Sequence, residues 1–117
     1  MKTGIFHGHG FLLLNKPAGI TSAKAIQPFK KMCSGKVGHV GTLDPFATGM
    51  LALSIGQATK FAGLQLKASK KYVTCIQLGT QTDSQDITGK ILREMPVPAL
   101  SKEQIHHILQ QYFIGDI

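Results

Sequence analysis

The chain has 117 residues, of which 43% are hydrophobic, and carries a formal net charge of +7. This length fits one small domain or part of a larger one, and the hydrophobic content excludes a disordered chain. No apolar run approaches the roughly 20 residues that cross a bilayer, and the N-terminus has no signal-peptide pattern. Because Cys33 and Cys75 are isolated, we expect a soluble cytoplasmic protein with reduced, partly buried thiols.

The charge is unevenly distributed along the chain. Residues 1–82 contain ten lysines and a single acidic residue, Asp44, whereas residues 83–117 carry three basic and five acidic residues. A strongly basic segment is typical of proteins that bind nucleic acid, although a solvated lysine surface is the common alternative. With one arginine and no low-complexity tail, any contact with RNA must come from a folded surface.

The hydrophobic pattern of residues 1–66 predicts two strands and two helices. In chain order these are a strand over 11–14 with a turn at 15–17, a helix beginning at Thr21 and Ser22, a strand over 50–55 and a short helix over 58–66. Pro28 lies inside the first helix, where it removes a backbone donor and should kink or shorten that helix. The glycine-rich residues 34–49 are predicted to form a loop.

The remaining residues predict strands followed by a helix. Residues 72–78 alternate in character and predict a strand, and a turn at 86–89 leads to another strand over 90–93. Ser101 and Gln104 form a capping box, after which apolar residues recur at helical spacing: Ile105, Ile108, Leu109, Tyr112 and Phe113. This apolar helix face needs a sheet to cover it, so the pattern predicts an α+β domain.

Asp44 lies in a segment, residues 38–49, that contains three glycines. The surrounding basic charge would draw in phosphates, and glycines let the backbone turn tightly and let a ligand come close. A lone carboxylate in this setting predicts a catalytic aspartate that acts on a polyanion. The alternative is an Asp-Pro turn in which the carboxylate accepts hydrogen bonds from backbone N–H groups.

Three segments of the chain resemble the N-terminal half of the B-type tRNA pseudouridine synthases. They are GFLLLNKPAGITS at residues 10–22, KVGHVGTLDPFATGML at residues 36–51, and KKY at residues 70–72 followed by Leu78, Gly79, Thr80, Thr82, Asp83 and Gly89. The second segment is long enough to be highly specific, and the resemblance covers almost the whole chain. Guide-RNA-dependent pseudouridine synthases share much of this segment and are an alternative within the same family.

The resemblance implies a pseudouridine synthase fold with a mixed, largely antiparallel sheet and flanking helices, of which residues 1–117 form the N-terminal portion. It also implies isomerisation of a uridine in the T-loop of tRNA, without a cofactor or a metal, by an enzyme that is monomeric at full length. Asp44 is then the nucleophile, His39 fills the space left by the flipped base, and Tyr72 packs on the flipped uracil.

Other residues are given supporting roles by the same resemblance. Lys16 and Pro17 support the site, and Gly41 and Thr42 shape the loop that carries Asp44. Candidate contacts to RNA phosphates, each of which could instead be an ordinary surface lysine, are Lys36, Lys60, Lys67, Lys70 and Lys71. The histidine pairs at 7/9 and 106/107 lack cysteine or acidic companions at ligand spacing, so no metal site is predicted.

The sequences of the resembled family continue beyond the point that matches Ile117. The further residues are expected to supply an arginine that pairs with the catalytic aspartate, other parts of the uracil pocket and, in most bacterial members, a small RNA-binding domain. We therefore expect an exposed sheet edge, an uncovered apolar face and weak activity from residues 1–117 alone. Two alternatives remain from the sequence: a catalytically silent RNA-binding module, and a structural domain that binds a protein partner.

Overall fold

The computed structural model describes residues 5–115, which fall into two compact units divided between Tyr72 and Val73. The first unit contains β1 (Gly10–Lys16), α1 (Ser22–Ala25), α2 (Gln27–Met32), β2 (Val37–Val40), β3 (Gly49–Ile55), a 3-10 helix (Gly56–Phe61) and α3 (Ala62–Leu66). The second contains β4 (Thr80–Thr82), β5 (Ile91–Glu94) and α4 (Lys102–Tyr112). Antiparallel sheets and helices in both confirm the α+β class.

The sheet of the first unit is antiparallel, with β3 between β1 and β2. Leu14 of β1 lies opposite Leu51, and His39 of β2 lies opposite Leu53. Because side chains alternate along a strand, Leu51, Leu53 and Ile55 point to one face, where they form a buried cluster with Ala25, Ile26 and Val37. The core of this unit therefore lies between one face of the sheet and the α1–α2 segment.

The opposite face of this sheet is apolar and exposed. Phe11 and Leu13 on β1 and Met50 on β3 all point to it, and each is largely accessible to solvent. These residues occupy the positions that alternate with the core residues of the same strands. The sheet thus carries apolar side chains on both faces, and on the second face these three are exposed.

The first predicted helix is present but divided at Ile26 into α1 and α2. Pro28 lies in the first turn of α2, where a missing N–H costs nothing because no intrahelical partner exists there. The prediction that Pro28 shortens the helix is confirmed. Thr21 caps α1, since its side-chain oxygen accepts a hydrogen bond from Lys24 N at 3.1 Å.

The short helix predicted over 58–66 is present, although it begins earlier, at Gly56, and its first part is a 3-10 helix. Two other sequence predictions are wrong. The predicted loop over 34–49 contains a strand, β2. The predicted strand over 72–78 does not form: residues 71–77 are irregular, and Val73 is 94% exposed. A strand requires a partner for its backbone groups, and this segment pairs with none of the strands formed by residues 5–115.

The second unit consists of a two-stranded hairpin and a helix. β4 and β5 pair antiparallel, with an irregularity between Gln81 and Thr82, so the strand predicted over 90–93 is confirmed. The capping box of α4 is confirmed as well, since Ser101 Oγ accepts from Gln104 N at 3.1 Å. No residue of α4 is buried, so the sheet that its apolar face was predicted to need is not supplied by the described residues, in line with the uncovered apolar face expected for residues 1–117 alone. No helix within residues 5–115 is long and apolar enough to span a membrane.

Candidate active site

The backbone immediately before Asp44 is held by Ser22. The N–H of Leu43 donates to Ser22 Oγ at 2.9 Å, and Ser22 Oγ donates to the carbonyl oxygen of Leu43 at 2.8 Å. A hydroxyl can make both bonds at once because it carries one donor and two acceptor lone pairs. The side chain of Leu43 also packs against the buried cluster. Ser22 therefore fixes both peptide groups that flank Leu43, including the one that links it to Asp44.

The backbone immediately after Asp44 is held by Lys16. The carbonyl oxygen of Pro45 accepts from Lys16 Nζ at 3.2 Å and from Gly19 N at 2.7 Å. Lys16 is 0% exposed, and its Nζ also donates to the carbonyls of Pro17 at 2.7 Å and Ile20 at 2.8 Å. The three donors of the ammonium group are thus all used on backbone oxygens, and the turn that follows β1 is joined to the Asp44 loop.

Asp44 itself is exposed between these two anchored neighbours. Its carbonyl oxygen accepts from Ala47 N at 3.0 Å, which closes a turn, and Gly41 begins the loop with a left-handed φ of +73°. Within residues 5–115, no hydrogen bond is formed by the carboxylate of Asp44. The alternative in which this carboxylate caps backbone N–H groups therefore lacks the bond it requires, and the loop presents the carboxylate to solvent.

His39 is held in one orientation close to this loop. It lies on β2 opposite Leu53, is half-buried, and its Nδ1 is hydrogen-bonded to the carbonyl oxygen of Gly41. Because a carbonyl only accepts, Nδ1 carries the proton of this bond. His39 is consequently not a solvated loop histidine, although in the described part of the chain no hydrogen bond joins its ring to Asp44.

The remaining predicted site residues outside the lysines are Tyr72, Pro17 and Thr42. Tyr72 is the last residue of the first unit, and its side chain is 69% exposed. It lies on the irregular segment for which the sequence predicts a strand. No hydrogen bond between residues 5 and 115 connects it to Asp44. Pro17 contributes its carbonyl oxygen to Lys16. Thr42 is exposed, next to Gly41 in the loop.

The five candidate phosphate-binding lysines are all exposed. Lys67 is the C-cap of α3, and Lys70 Nζ donates to the carbonyl oxygens of Leu66 and Ala68 at the end of that helix. Leu66 Cδ2 lies 3.9 Å from the position that a Cβ on Gly41 would occupy. The Leu66 side chain at the end of α3 is therefore next to Gly41 at the start of the Asp44 loop.

Ser22 is the site residue that the sequence interpretation missed. The pair Thr21-Ser22 was interpreted only as the start of a helix, but a helix N-terminus needs one side-chain cap. Thr21 provides that cap, so the hydroxyl of Ser22 is available for Leu43. Two adjacent residues that can both cap a helix indicate that one of them has another partner, but no local pattern identifies Leu43 as that partner.

Metal-binding geometry is not seen in the described ranges. Among residues 5–115, no group of three or more histidine, cysteine or acidic side chains is arranged to hold a metal ion. Cys33 is half-buried and Cys75 exposed, and both are free thiols, so the expectation of a partly buried thiol is wrong for Cys75.

Comparison with known proteins identifies close relatives. The family model described as TruB family pseudouridylate synthase (N terminal domain) matches residues 29–117. The chain is 46% identical over 109 residues to a tRNA pseudouridine synthase B of Hydrogenovibrio crunogenus, and 48% identical over 109 residues to one of a Marinomonas species. It is 50% identical over 110 residues to the tRNA pseudouridine synthase B of Xanthomonas campestris.

These alignments cover nearly all of the chain but a minor part of each relative. The covered share is 92–93% of this chain and 35–36% of the relatives. The chain thus spans about a third of the length of the curated relatives it matches. His39, Gly41, Asp44 and Tyr72 all lie inside the range matched by the family model.

Proposed function

The chain belongs to the TruB family of pseudouridylate synthases, and we propose that it forms the Asp44-bearing portion of an enzyme that isomerises a uridine in the T-loop of tRNA to pseudouridine. The observation that carries this proposal is the presentation of Asp44. Its carboxylate is exposed, while Ser22 and Lys16 hold the residues on either side of it. A rigid loop with an exposed carboxylate is what a positioned nucleophile requires.

The proposed reaction exchanges bonds within one nucleotide. The bond between uracil N1 and the ribose C1′ breaks, the base rotates, and a bond forms between C5 and C1′. The proton on C5 leaves to solvent and N1 gains a proton, so the atoms balance without net oxidation. Asp44 supplies a transient covalent adduct that divides the exchange into steps, with attack either at the base or at the sugar carbon.

His39 and Tyr72 are proposed to stabilise the flipped-out conformation of the target nucleotide. Extraction of a stacked base costs about a few kcal/mol, and the planar ring of His39, held by the Gly41 carbonyl, occupies the vacated space. Tyr72 stacks on the extruded uracil, an interaction worth roughly 1–3 kcal/mol. The exposure of Tyr72 supports this role because its ring has a free surface to offer.

The lysines at the end of α3 are proposed to contact phosphates of the tRNA backbone. Lys67, Lys70 and Lys71 are exposed, and the position of the Leu66 side chain next to Gly41 supports a role for this segment near the Asp44 loop. Phosphates held there would position the T-loop over Asp44 and would make affinity depend on salt.

Turnover by these 117 residues alone is proposed to be weak. The chain covers about a third of each relative, and apolar side chains of the sheet, Phe11, Leu13 and Met50, are exposed. The second candidate function, a catalytically silent RNA-binding module, is favoured by the same short span together with the basic charge of residues 1–82.

Tritium release from a tRNA transcript labelled at uridine C5 tests the proposal, because the label leaves only when the base is rejoined through C5. The assay compares the wild-type sequence with Asp44→Asn, both in the chain alone and in a chimera in which the chain replaces the aligned segment of the Hydrogenovibrio crunogenus enzyme. Glu103→Gln, which removes one exposed carboxylate from α4, is the matched control.

We expect the chimera to release tritium, Asp44→Asn to abolish release while tRNA binding is kept, and Glu103→Gln to change neither. Release from the Asp44→Asn chimera at the wild-type rate would overturn the proposal. Binding of tRNA without release by any chimera would instead establish the silent RNA-binding module.

A further inference from the structure

We infer that Ser22 is a positioning residue for the proposed nucleophile, acting on Asp44 through the backbone of Leu43. This inference rests on the proposed function of Asp44. Ser22 is 2% exposed, so it touches neither base nor ribose, and its effect on the reaction passes through the loop it holds.

The hydroxyl of Ser22 is committed to Leu43 and not to its own helix. The cap of α1 is provided by Thr21, whereas Ser22 Oγ accepts from Leu43 N and donates to Leu43 O, a residue 21 positions away in sequence. Since the second of these bonds is made to the peptide group that joins Leu43 to Asp44, it restrains the backbone directly at the nucleophile.

The two anchors of the loop come from one short segment of chain. Lys16 ends β1 and holds Pro45, while Ser22 begins α1 and holds Leu43. Removal of the Ser22 hydroxyl leaves the Lys16 anchor and the packing of the Leu43 side chain in place. The loop should therefore stay folded but gain freedom at the Asp44 peptide, and a misplacement of about 1 Å costs roughly 10²-fold in rate.

The test measures kcat and KM for tRNA in whichever form carries turnover, the chain alone or the chimera. Ser22→Ala is expected to lower kcat by about 10- to 100-fold and to change KM by less than about twofold. Ser22→Thr, which keeps the hydroxyl, is expected to restore most of the loss. Thr21→Ala is the matched control, because it removes a side-chain hydrogen bond from the same helix without touching Leu43.

Thermal unfolding of each variant shows that kcat is measured on folded protein. If Ser22→Ala does not fold, Ser22→Cys replaces it, since a thiol has similar size but bonds weakly, and the same loss of kcat is expected. Wild-type kcat in the folded variant, or an equal loss in Thr21→Ala, would overturn the inference. Asp44→Asn separates the two proposals: if it abolishes turnover while Ser22→Ala does not, only the role of Ser22 fails, whereas turnover retained in Asp44→Asn refutes the function itself.

Discussion

Lys16 Nζ lies 3.2 Å from the carbonyl oxygen of Pro45, so a fully buried ammonium group at the end of β1 is bonded to the residue that follows Asp44. The resemblance of residues 10–22 to the family implies a supporting role for Lys16, and the hydrogen bonds of its side chain offer a means of such support. The ammonium group donates hydrogen bonds to the carbonyl oxygens of Pro17, Ile20 and Pro45. Lys16 Nζ therefore links the turn after β1 to the Asp44 loop.

Replacement of Lys16 by Met should therefore destabilise the first unit. Methionine fills a similar space but donates nothing, so the carbonyls of Pro17, Ile20 and Pro45 would all lose the hydrogen bonds that they accept from the buried Lys16 Nζ. We expect a loss of about 2–3 kcal/mol in the free energy of unfolding, measured by denaturant unfolding. Lys30→Met is the control because Lys30 is exposed, and it should change stability by less than about 0.5 kcal/mol; equal effects would contradict the anchoring role.

Gly41 should be intolerant of a side chain, whereas Gly63 should benefit from one. Gly41 has a φ of +73°, and alanine in this region costs about 1–2 kcal/mol. Gly63 lies within α3 with open space around a Cβ, so alanine there should stabilise by about 0.5–1 kcal/mol. Unfolding of Gly41→Ala and Gly63→Ala tests the pair, and stabilisation by both would mean that the loop does not need its left-handed residue.

Asp86 should make the β4–β5 hairpin sensitive to acid. Hydrogen bonds from the side chains of Thr88 and Ser84 and from the backbone N–H of Thr88 lower the pKa of Asp86 below its ordinary value of 3.8. A group whose pKa is lower in the folded state stabilises that state above its unfolded pKa. This contribution is lost as the pH falls through the folded pKa.

The acid sensitivity can be measured by following the Asp86 carboxyl and the hairpin amides by NMR from about pH 6 to about pH 2. We expect the carboxyl to titrate below 3.8 and the hairpin to loosen over the same range. Asp86→Asn should remove the pH dependence, and Glu103→Gln serves as a control outside the hairpin. A hairpin that loosens identically in Asp86→Asn would exclude Asp86 as the cause.

The sequence correctly predicts those strands and helices that depend on interactions between neighbouring residues. The apolar run of β1 and the capping box of α4 depend on neighbouring residues, and both are present. β2 was missed because Val37–Val40 contains a glycine and a histidine and becomes a strand by pairing with the distant β3. Residues 72–78 failed for the converse reason: they alternate like a strand but find no partner in the part of the chain that the structure describes.

The residues of the candidate site also divide into those that the local sequence indicates and those that depend on contacts with distant residues. Asp44 stands out as a candidate from its isolation among lysines, because charge patterning is visible along the sequence. The bond of Ser22 to Leu43 was not predictable, because it joins residues 21 positions apart, and no local rule selects a partner at that distance. What the sequence could not provide was therefore the means by which Asp44 is held.

The lysines at the end of α3 should govern the salt dependence of tRNA binding. If Lys71 contacts a phosphate, Lys71→Gln should weaken binding and reduce the slope of log K against log salt concentration by about 1, since each neutralised phosphate releases about one counterion. Lys30→Gln makes the same charge change on α2, away from the Asp44 loop in sequence, and should leave the slope unaltered.

The measurement is a filter-binding titration of a tRNA transcript at several salt concentrations. Equal slopes for Lys71→Gln and the wild-type sequence would remove Lys71 from the proposed RNA-binding surface, whereas equal losses in both variants would show that net charge alone, and not position beside the loop, controls binding.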